Sequence, residues 1–282
     1  LKKEQVFVGV GSDDVLALAF LTFFHSGRPI FFPDITYSFY DVWADLYGIS
    51  YETKPLRDDL TIAVSDYRGG SGGIIFPNPN APTGILMDSA EVEAMIRDNA
   101  DVVVIVDEAY IDFSGDKKSA LSLLERYDNL LVVRTFSKSR SLAGLRIGYA
   151  LGGEKLIGYL QDVKFSFNSY TMNLPSLMAG EASIRDDVYF RETLEKVIRT
   201  REWTKEKLQD LGFVCPDSRS NFLFASHKRV AAEELFTALK QAGIYVRYFS
   251  RPRIDNYLRI SIGTQAQMES LIAYLQEYMD HN

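Results

Sequence analysis

Residues 130–149 of this 282-residue chain, LLVVRTFSKSRSLAGLRIGY, indicate the fold class. The stretch begins with the apolar run Leu130–Arg134 and continues into a polar segment that contains Lys138. A strand that is apolar along most of its length, without alternation, is typical of a parallel sheet that helices cover on both faces. Similar runs occur earlier in the chain, at Ile30–Phe32, Gly73–Phe76 and Val102–Val106. The pattern therefore predicts an α/β fold built on a doubly wound, mostly parallel sheet.

Helical patterns separate these runs, as a doubly wound sheet requires. They are predicted at Val15–Phe24, Tyr40–Tyr47, Ser89–Asp98 and Ala120–Glu125. The last third of the chain begins with a charge-rich helix over Asp187–Leu211, which ends at Gly212. Shorter elements follow, with strands at Asn221–Ala225, Ile244–Tyr248 and Tyr257–Ile262 and helices at Val230–Ala242 and Gln265–Met279. We therefore expect a large domain over residues 1–180 and a smaller C-terminal α/β domain over residues 181–282.

Composition and charge argue against several classes of protein. The chain has 31 Lys and Arg against 38 Asp and Glu, and its net charge of −7 disfavours binding to nucleic acid or to an anionic membrane surface. The apolar run Val15–Phe24 is shorter than the roughly 18 residues that a membrane span needs. A single cysteine, Cys215, and histidines that lie far apart in sequence predict neither a disulfide nor a metal site. These features are typical of a cytoplasmic protein.

Polar residues follow the predicted strands at their carboxyl ends, which is where ligands bind in open α/β sheets. The sequence DEAY at 107–110 follows one strand, and PNPNAPTG at 77–84 follows another. A third segment, SKSRSLAGLRIGY at 137–149, follows the strand quoted above. GVGSDD at 9–14 opens the first helix, and LRISIG at 258–263 lies on a strand of the smaller domain. A core alone needs none of these polar side chains, so we expect a ligand site here.

Together these segments resemble the fold-type-I aminotransferases of class I and II, which use pyridoxal 5′-phosphate (PLP). The resemblance covers essentially the whole chain and is closest to the histidinol-phosphate aminotransferase branch of that family. It depends on the combination of segments in this order, since none of them is specific alone. It implies PLP as the cofactor, small-molecule substrates, a homodimer and no metal. It also implies amino transfer in histidine biosynthesis, with glutamate and 2-oxoglutarate as the exchanging pair.

The resemblance assigns three catalytic residues. Lys138 matches the lysine that forms a Schiff base with PLP and then acts as general base and acid. Asp107 matches the carboxylate that keeps the pyridine nitrogen of PLP protonated, which strengthens the cofactor as an electron sink. Tyr110 matches the tyrosine that donates a hydrogen bond to the phenolic oxygen of PLP.

Further residues match positions that bind the cofactor. Arg146 and Ser137 match the residues that bind the PLP phosphate, together with the backbone N–H groups of Ser12 and Asp13 at a helix start. Tyr37 matches the aromatic residue that stacks on the cofactor ring.

Two arginines match substrate-binding positions. Arg259 in LRISIG matches the arginine that pairs with a substrate carboxylate, and it would also help to hold a substrate phosphate. Arg247 matches a second arginine of the phosphate-binding branch, and converging guanidinium groups suit a doubly charged phosphate.

The chain departs from the family pattern in two ways. The family commonly has an asparagine directly before Pro-Thr-Gly, but this position is Ala81. We expect Asn80 to bind the cofactor in its place, with Asn78 or Tyr110 alone as the other solutions. Family members also begin with several dozen more residues, including an arm that reaches the partner subunit, and the chain begins at Leu1 without them.

Other functions are compatible with the same residues. An aromatic-amino-acid aminotransferase needs the same cofactor site, and a lyase resembling threonine-phosphate decarboxylase also binds a phosphate-bearing substrate. A PLP-binding regulatory domain is the non-enzymatic alternative, although no basic or helix-turn-helix segment accompanies this chain.

Overall fold

The computed structural model describes residues 1–115 and 119–281, which form a seven-stranded sheet and a four-stranded sheet with helices around them. The strands of the large sheet are β1 Val6–Gly9, β2 Ile30–Pro33, β3 Tyr51–Lys54, β4 Ile74–Pro77, β5 Val104–Asp107, β6 Leu130–Thr135 and β7 Gly148–Gly152. Their order in space is β1-β7-β6-β5-β4-β2-β3. All pairings from β3 across to β6 are parallel, whereas β7 pairs antiparallel with both β6 and β1. The predicted α/β fold with a mostly parallel sheet is confirmed.

Helices cover both faces of the large sheet. They are α1 Ser12–Phe23, α2 Tyr40–Tyr47, α3 Ser89–Arg97, α4 Glu154–Phe167 and α5 Leu174–Arg185. Side chains alternate along each strand, so Phe76 and Val106 lie in the core on one face, and Ile75 and Ile105 lie in the core on the other. Burial on both faces is the physical reason that the strands are apolar throughout.

The C-terminal part has an antiparallel sheet with its own core. Its elements are α6 Asp187–Asp210, β8 Phe213–Val214, β9 Phe222–His227, α7 Ala232–Gln241, β10 Arg247–Tyr248, β11 Leu258–Ser261 and α8 Gln265–His281. The carboxylate of Asp186 accepts a hydrogen bond from the Tyr189 N–H at the start of α6, and Gly212 follows its end with φ +89°. The strand order is β10-β11-β9-β8. Leu223, Leu235 and Leu271 belong to the core between this sheet and its helices.

Several sequence predictions differ from the structure in detail. Ala120–Leu123 forms a short 3-10 turn and not the predicted α-helix over Ala120–Glu125. The predicted strand Ile244–Tyr248 is reduced to Arg247–Tyr248. Strands β1, β3 and β7 were not predicted from the sequence. Of these, β3 is mostly exposed and has no apolar run, and β7 begins and ends with glycine, which is uncommon in strands. No helix in the described ranges has the length and apolar content that a membrane span requires.

The two sheets are joined by shared packing. Position 180, where we expected the domain boundary, lies inside α5. Phe224 of β9 and Ile254 of the β10–β11 loop pack in the same core as Phe76 of the large sheet. We therefore keep the division at residue 180 only as a proposal, since the two parts share core residues.

Candidate active site

The carboxyl ends of β4, β5 and β6 meet the start of α1 around a cavity of about 160 Å³. This cavity, called the central cavity below, is lined by Ser12, Asp13, Tyr37, Pro77, Ala81, Asp107, Ala109, Tyr110, Ser137, Lys138, Ala143 and Arg146. Parallel strands place their carboxyl ends at one edge of a sheet, so segments that lie far apart in sequence converge here. All the predicted catalytic residues, and all the predicted cofactor-binding residues except Asn80, lie in this lining.

Asp107 is the last residue of β5, and its side chain is buried at the floor of the cavity. Its Oδ2 accepts a hydrogen bond from the Tyr40 hydroxyl at 2.9 Å, and its Oδ1 accepts one from the Ala109 N–H at 3.1 Å. Burial raises the pKa of Asp107 to about 6, against the lowering effect of these hydrogen bonds and of the Lys138 charge. A positively charged group in the cavity would therefore be stabilised by this carboxylate.

Tyr40 is a residue that the sequence analysis did not select. It begins α2, is completely buried, and packs against the rings of Phe20, Phe32 and Trp43. Burial and the neighbouring Asp107 carboxylate hold the pKa of Tyr40 well above its ordinary value, so the hydroxyl stays a donor. No sequence signal points to this contact, because the partner carboxylate lies 67 residues away.

Lys138 follows β6 in a turn that other hydrogen bonds support. The Ser137 N–H donates to Oγ1 of Thr135 at 3.1 Å, and the Phe136 N–H donates to the Ile147 carbonyl at 3.0 Å. The Lys138 amine lies 5.4 Å from the centre of the Tyr110 ring. The cavity thus brings an amine and a phenol together above the buried carboxylate.

Arg146 and the start of α1 form one end of the cavity. The Arg146 guanidinium donates to Oγ of Ser137 at 3.4 Å and lies 3.8 Å from Oδ2 of Asp13. It also lies against Gly11, where a Cβ atom would approach Nη2 of Arg146 to 2.3 Å. Gly11 has φ +89°, a conformation that favours glycine, and it caps α1. Free N–H groups at a helix N-terminus and a guanidinium together suit a phosphate.

Tyr37 lies on the wall of the cavity and donates a hydrogen bond from its hydroxyl to Oδ1 of Asp13 at 2.9 Å. Desolvation, followed by the Asp13 charge, raises the pKa of Tyr37. The residue therefore presents a neutral aromatic ring to the cavity.

Asn80 is not among the residues that line the central cavity. Its Nδ2 donates to the Ile35 carbonyl at 3.0 Å and to Oγ1 of Thr83 at 3.2 Å. Asn78 is also engaged, since its Oδ1 accepts from the Met87 N–H at 2.8 Å. Both amides are engaged by protein groups, Asn80 by the segment after β2 as well as by its own loop, so the geometry gives no support to the expected cofactor contact of Asn80.

Arg247 and Arg259 lie beside the central cavity in a second, larger cavity of about 620 Å³. Tyr37 and Ala81 line both cavities and therefore connect them. The two arginines are directly opposite each other in the β10–β11 pairing. The Nε atom of Arg259 is buried, and it has no hydrogen-bond partner among the residues that the structure describes. Two cations in register, one with an unpartnered buried donor, suit an anionic ligand.

Acidic, histidine and cysteine side chains offer no obvious metal site in the described ranges, where no group of three or more of them could hold a metal ion. The second carboxylate of the DEAY segment, Glu108, is buried away from the cavity and pairs with Arg134 at 2.8 Å. It also accepts a hydrogen bond from the Ala120 N–H at 2.6 Å. Only one of the two adjacent carboxylates therefore serves the candidate site.

Residues 1–275 match the protein family described as aminotransferase class I and II. The chain belongs to this family. A histidinol-phosphate aminotransferase from Brachyspira hyodysenteriae is 50% identical over 272 residues, which are 96% of this chain and 77% of that protein. The histidinol-phosphate aminotransferase of Clostridium acetobutylicum has the same fold, with a TM-score of 0.91 at 21% identity over 99% of this chain and 84% of that one.

A third comparison concerns the cofactor. The structure of histidinol-phosphate aminotransferase from Sinorhizobium meliloti, determined in complex with PLP, matches with a TM-score of 0.86 at 24% identity, over 99% of this chain and 77% of that one. This aminotransferase is a PLP-dependent transferase, as its family implies.

The central cavity of this aminotransferase fits PLP chemically. Asp107 is buried, and no cation of residues 1–115 or 119–281 lies at hydrogen-bond distance from it, so it suits the protonated pyridine nitrogen. The Arg146 guanidinium fills the space beside Gly11 that a Cβ atom would occupy, so it suits the phosphate end. Lys138 provides the amine that the aldehyde of PLP requires.

Proposed function

We propose that this aminotransferase exchanges the amino group between histidinol phosphate and 2-oxoglutarate in histidine biosynthesis. The observation that carries the proposal is the pair Arg247 and Arg259, which lie opposite each other beside the central cavity. The buried Nε of Arg259 has no hydrogen-bond partner in the described part of the chain. The 50% identity to a protein named for this activity supports the same substrate.

In the proposed reaction, each residue of the central cavity has a distinct task. When bound, PLP supplies an electron sink for the negative charge that develops on the substrate carbon. Nζ of Lys138 takes the proton from that carbon and returns it, as general base and acid. Asp107 holds a proton on the pyridine nitrogen through its buried carboxylate, and Tyr40 orients that carboxylate. Tyr110 donates from its hydroxyl to the phenolic oxygen of the cofactor.

Binding of the cofactor phosphate is assigned to Arg146, Ser137 and the N–H groups of Ser12 and Asp13. The Arg146 guanidinium already contacts Oγ of Ser137 and lies against the start of α1. Tyr37, which lines both cavities, would pack on the cofactor ring. Orientation by several fixed groups at once lowers the entropic cost of reaching the reactive geometry.

Arg247 and Arg259 are proposed to hold the anionic end of each substrate. Histidinol phosphate offers a phosphate dianion to both guanidinium groups, and glutamate offers a carboxylate to Arg259. One site can therefore accept both partners of the exchange, because guanidinium groups bind phosphate and carboxylate alike.

A homodimer is also part of the proposal. The helices α4, α5 and α6 and the segment between α4 and α5 expose a set of large apolar side chains, namely Tyr159, Phe165, Phe167, Tyr170, Leu174, Leu177, Met178, Ile184, Val188 and Tyr189. An apolar surface of this kind marks an interaction site in a folded protein. Size-exclusion chromatography with light scattering should give twice the mass of one chain.

We also propose a cytoplasmic location, which agrees with a role in biosynthesis.

A substrate panel tests the proposed function. The PLP-loaded protein is incubated with 2-oxoglutarate and, separately, with histidinol phosphate, phenylalanine or threonine phosphate. We expect glutamate to form only with histidinol phosphate. Glutamate from phenylalanine would indicate the aromatic aminotransferase, and carbon dioxide from threonine phosphate would indicate the decarboxylase. Bound cofactor without turnover of any substrate would favour the regulatory domain.

A Lys138→Ala variant tests the cofactor assignment. It should lose the visible absorbance of lysine-bound PLP and at least about a hundredfold in turnover, because no other amine lines the central cavity in the described residues. Lys240→Ala is the matched control, since Lys240 is an exposed lysine at the end of α7. Retained absorbance in Lys138→Ala contradicts the assignment.

A further inference from the structure

The loop of residues 249–257, which joins β10 to β11, is attached to the large sheet by Arg253. Nη1 of Arg253 donates to Oδ2 of Asp34 at 2.8 Å, and Nη2 donates to the carbonyls of Leu56 at 2.6 Å and Arg57 at 3.1 Å. Asp34 directly follows β2, and Leu56 lies two residues after β3. One guanidinium of the smaller sheet therefore contacts the carboxyl ends of two strands of the large sheet.

The contacts around Arg253 support one another. Oδ1 of Asp34 accepts the Leu56 N–H at 2.9 Å, so Arg253, Asp34 and Leu56 form a closed set of hydrogen bonds. The next residue in the loop, Ile254, is 3% exposed and packs in the core of the large sheet together with Leu56. Arg253 itself has φ +70°, which is unfavourable for an L-residue and persists only where surrounding contacts hold it.

The position of this loop affects the two substrate arginines. β10 consists of Arg247 and Tyr248 alone, and its pairing with β11 places Arg247 opposite Arg259. A two-residue strand pair that carries like charges face to face is weak by itself. An attachment at the closed end of the hairpin is therefore needed to keep both guanidinium groups in place.

Asp34 also connects this attachment to the cofactor side. It lines the larger cavity together with Arg247 and Arg259, and Tyr37, three residues later, lines the central cavity as well. The hydrogen bond between Arg253 and Asp34 thus holds the loop with the substrate arginines at a fixed distance from Tyr37, on which the cofactor ring would pack.

We propose that Arg253 is a positioning residue, which acts through Asp34 and the carbonyls of Leu56 and Arg57 to place Arg247 and Arg259 for the anionic end of the substrate. This inference rests on the proposed function for the identity of the substrate. The attachment of the loop itself does not depend on that identity.

The experiment compares Arg253→Gln, Asp34→Asn and the double variant in the PLP-loaded protein. The matched control is Arg28→Gln, which removes an exposed Arg–Asp ion pair with Asp101 before the opposite, amino end of β2. Two readouts are measured. Hydrogen exchange of residues 249–257 is followed without substrate, and KM and kcat are measured with histidinol phosphate.

We expect Arg253→Gln and Asp34→Asn to accelerate exchange of the loop amides and to raise KM about tenfold, with kcat changed by less than about twofold. The double variant should be no worse than Arg253→Gln, because the two side chains act as one unit. The control should change neither readout. Arg253→Lys should be intermediate, since one ammonium cannot reach Asp34 and both carbonyls together.

Two results would overturn the inference. Unchanged loop exchange in Arg253→Gln and Asp34→Asn means that the guanidinium does not hold the loop. A raised KM in Arg253→Gln with wild-type values in Asp34→Asn means that Arg253 binds the substrate directly. If the wild type does not convert histidinol phosphate, the proposed function fails, and loop exchange with KM for the amine that is converted still tests Arg253.

Discussion

The hydroxyl of Tyr40 lies 2.9 Å from Oδ2 of Asp107, and both side chains are buried beneath the central cavity. Tyr40 belongs to the helix after β2, whereas Asp107 ends β5, so the hydrogen bond connects segments that are 67 residues apart. It fixes one carboxylate oxygen and lowers the pKa that burial alone would give to Asp107. The charge and the direction of the proposed cofactor carboxylate therefore depend on a tyrosine outside the cavity lining.

Tyr40→Phe should weaken PLP binding by about tenfold, which corresponds to the loss of one hydrogen bond to a charged group. Without the tyrosine, the pKa of Asp107 rises above about 6, so a larger fraction of the carboxyl is protonated. The loss should therefore be larger at pH 6 than at pH 8. Titration of the cofactor-free protein with PLP, followed by absorbance at both pH values, measures it.

The control for this variant is Tyr67→Phe. Tyr67 is also buried, but its hydroxyl has no hydrogen-bond partner within residues 1–115 and 119–281, so removal of that hydroxyl should leave PLP affinity unchanged. Equal affinities of Tyr40→Phe and wild type at pH 6 would refute the role of Tyr40.

Asp107 should make the cofactor-free protein less stable as the pH rises. Burial raises its pKa from 3.8 to about 6, so the folded protein binds this proton more tightly than the unfolded chain does. The stabilising contribution is complete below pH 3.8 and is lost as the pH rises through about 6. Asp107→Asn removes the buried charge, and its free energy of unfolding at pH 8 should exceed that of wild type by up to about 3 kcal/mol.

Urea denaturation of both cofactor-free proteins at pH 5 and pH 8 checks this prediction. The difference between them should shrink at the lower pH, while Asp107→Asn loses PLP affinity at both. A difference that does not depend on pH would mean that Asp107 is not the titrating group.

Gly11→Ala should weaken PLP binding by at least tenfold, because the new Cβ would lie 2.3 Å from Nη2 of Arg146 and displace the guanidinium. Gly27→Ala separates this effect from backbone strain. Gly27 also has a positive φ, of +78°, but a Cβ there would meet no atom within 4 Å. Both variants should therefore lose stability on the order of 1 kcal/mol, and only Gly11→Ala should lose cofactor affinity. Equal PLP affinity in the two variants contradicts the phosphate role of Arg146.

Arg247→Ala should lower kcat/KM for histidinol phosphate by about a hundredfold and for glutamate by less than about tenfold. The phosphate dianion is proposed to use both arginines, whereas the glutamate carboxylate uses Arg259. Glutamate is thus the control within the same variant, and steady-state kinetics with each amine measures the ratio. Equal losses would count against a specific phosphate contact.

Much of the site could be predicted from the sequence because its residues follow apolar strands. Asp107 directly follows one such run and Lys138 lies four residues after another, and in an open parallel sheet these segments converge at one edge. Arg247 and Arg259 lie on strands of the smaller sheet and were predicted only from the resemblance of their segments to the family. Their roles stay predictions until the variants above are measured.

Asn80, Tyr40 and Arg253 could not be interpreted in this way. The side-chain amide of Asn80 could donate hydrogen bonds either to the cofactor or to other parts of the chain. Only the folded structure shows that its Nδ2 lies 3.0 Å from the Ile35 carbonyl. Tyr40 and Arg253 look like ordinary helix and surface residues in sequence. Their partners, Asp107 and Asp34, are reached only when distant segments pack together.

The sequence by itself determined the parallel strands, the family and the position of the lysine, because apolar periodicity and local motifs are properties of neighbouring residues. The sequence did not determine which of the adjacent carboxylates, Asp107 or Glu108, faces the cavity. Successive side chains of an extended segment point in opposite directions, so only one of the two can face the cavity. The tertiary structure alone decided that Asp107 faces it and that Glu108 pairs with Arg134, since both partners come from other parts of the chain.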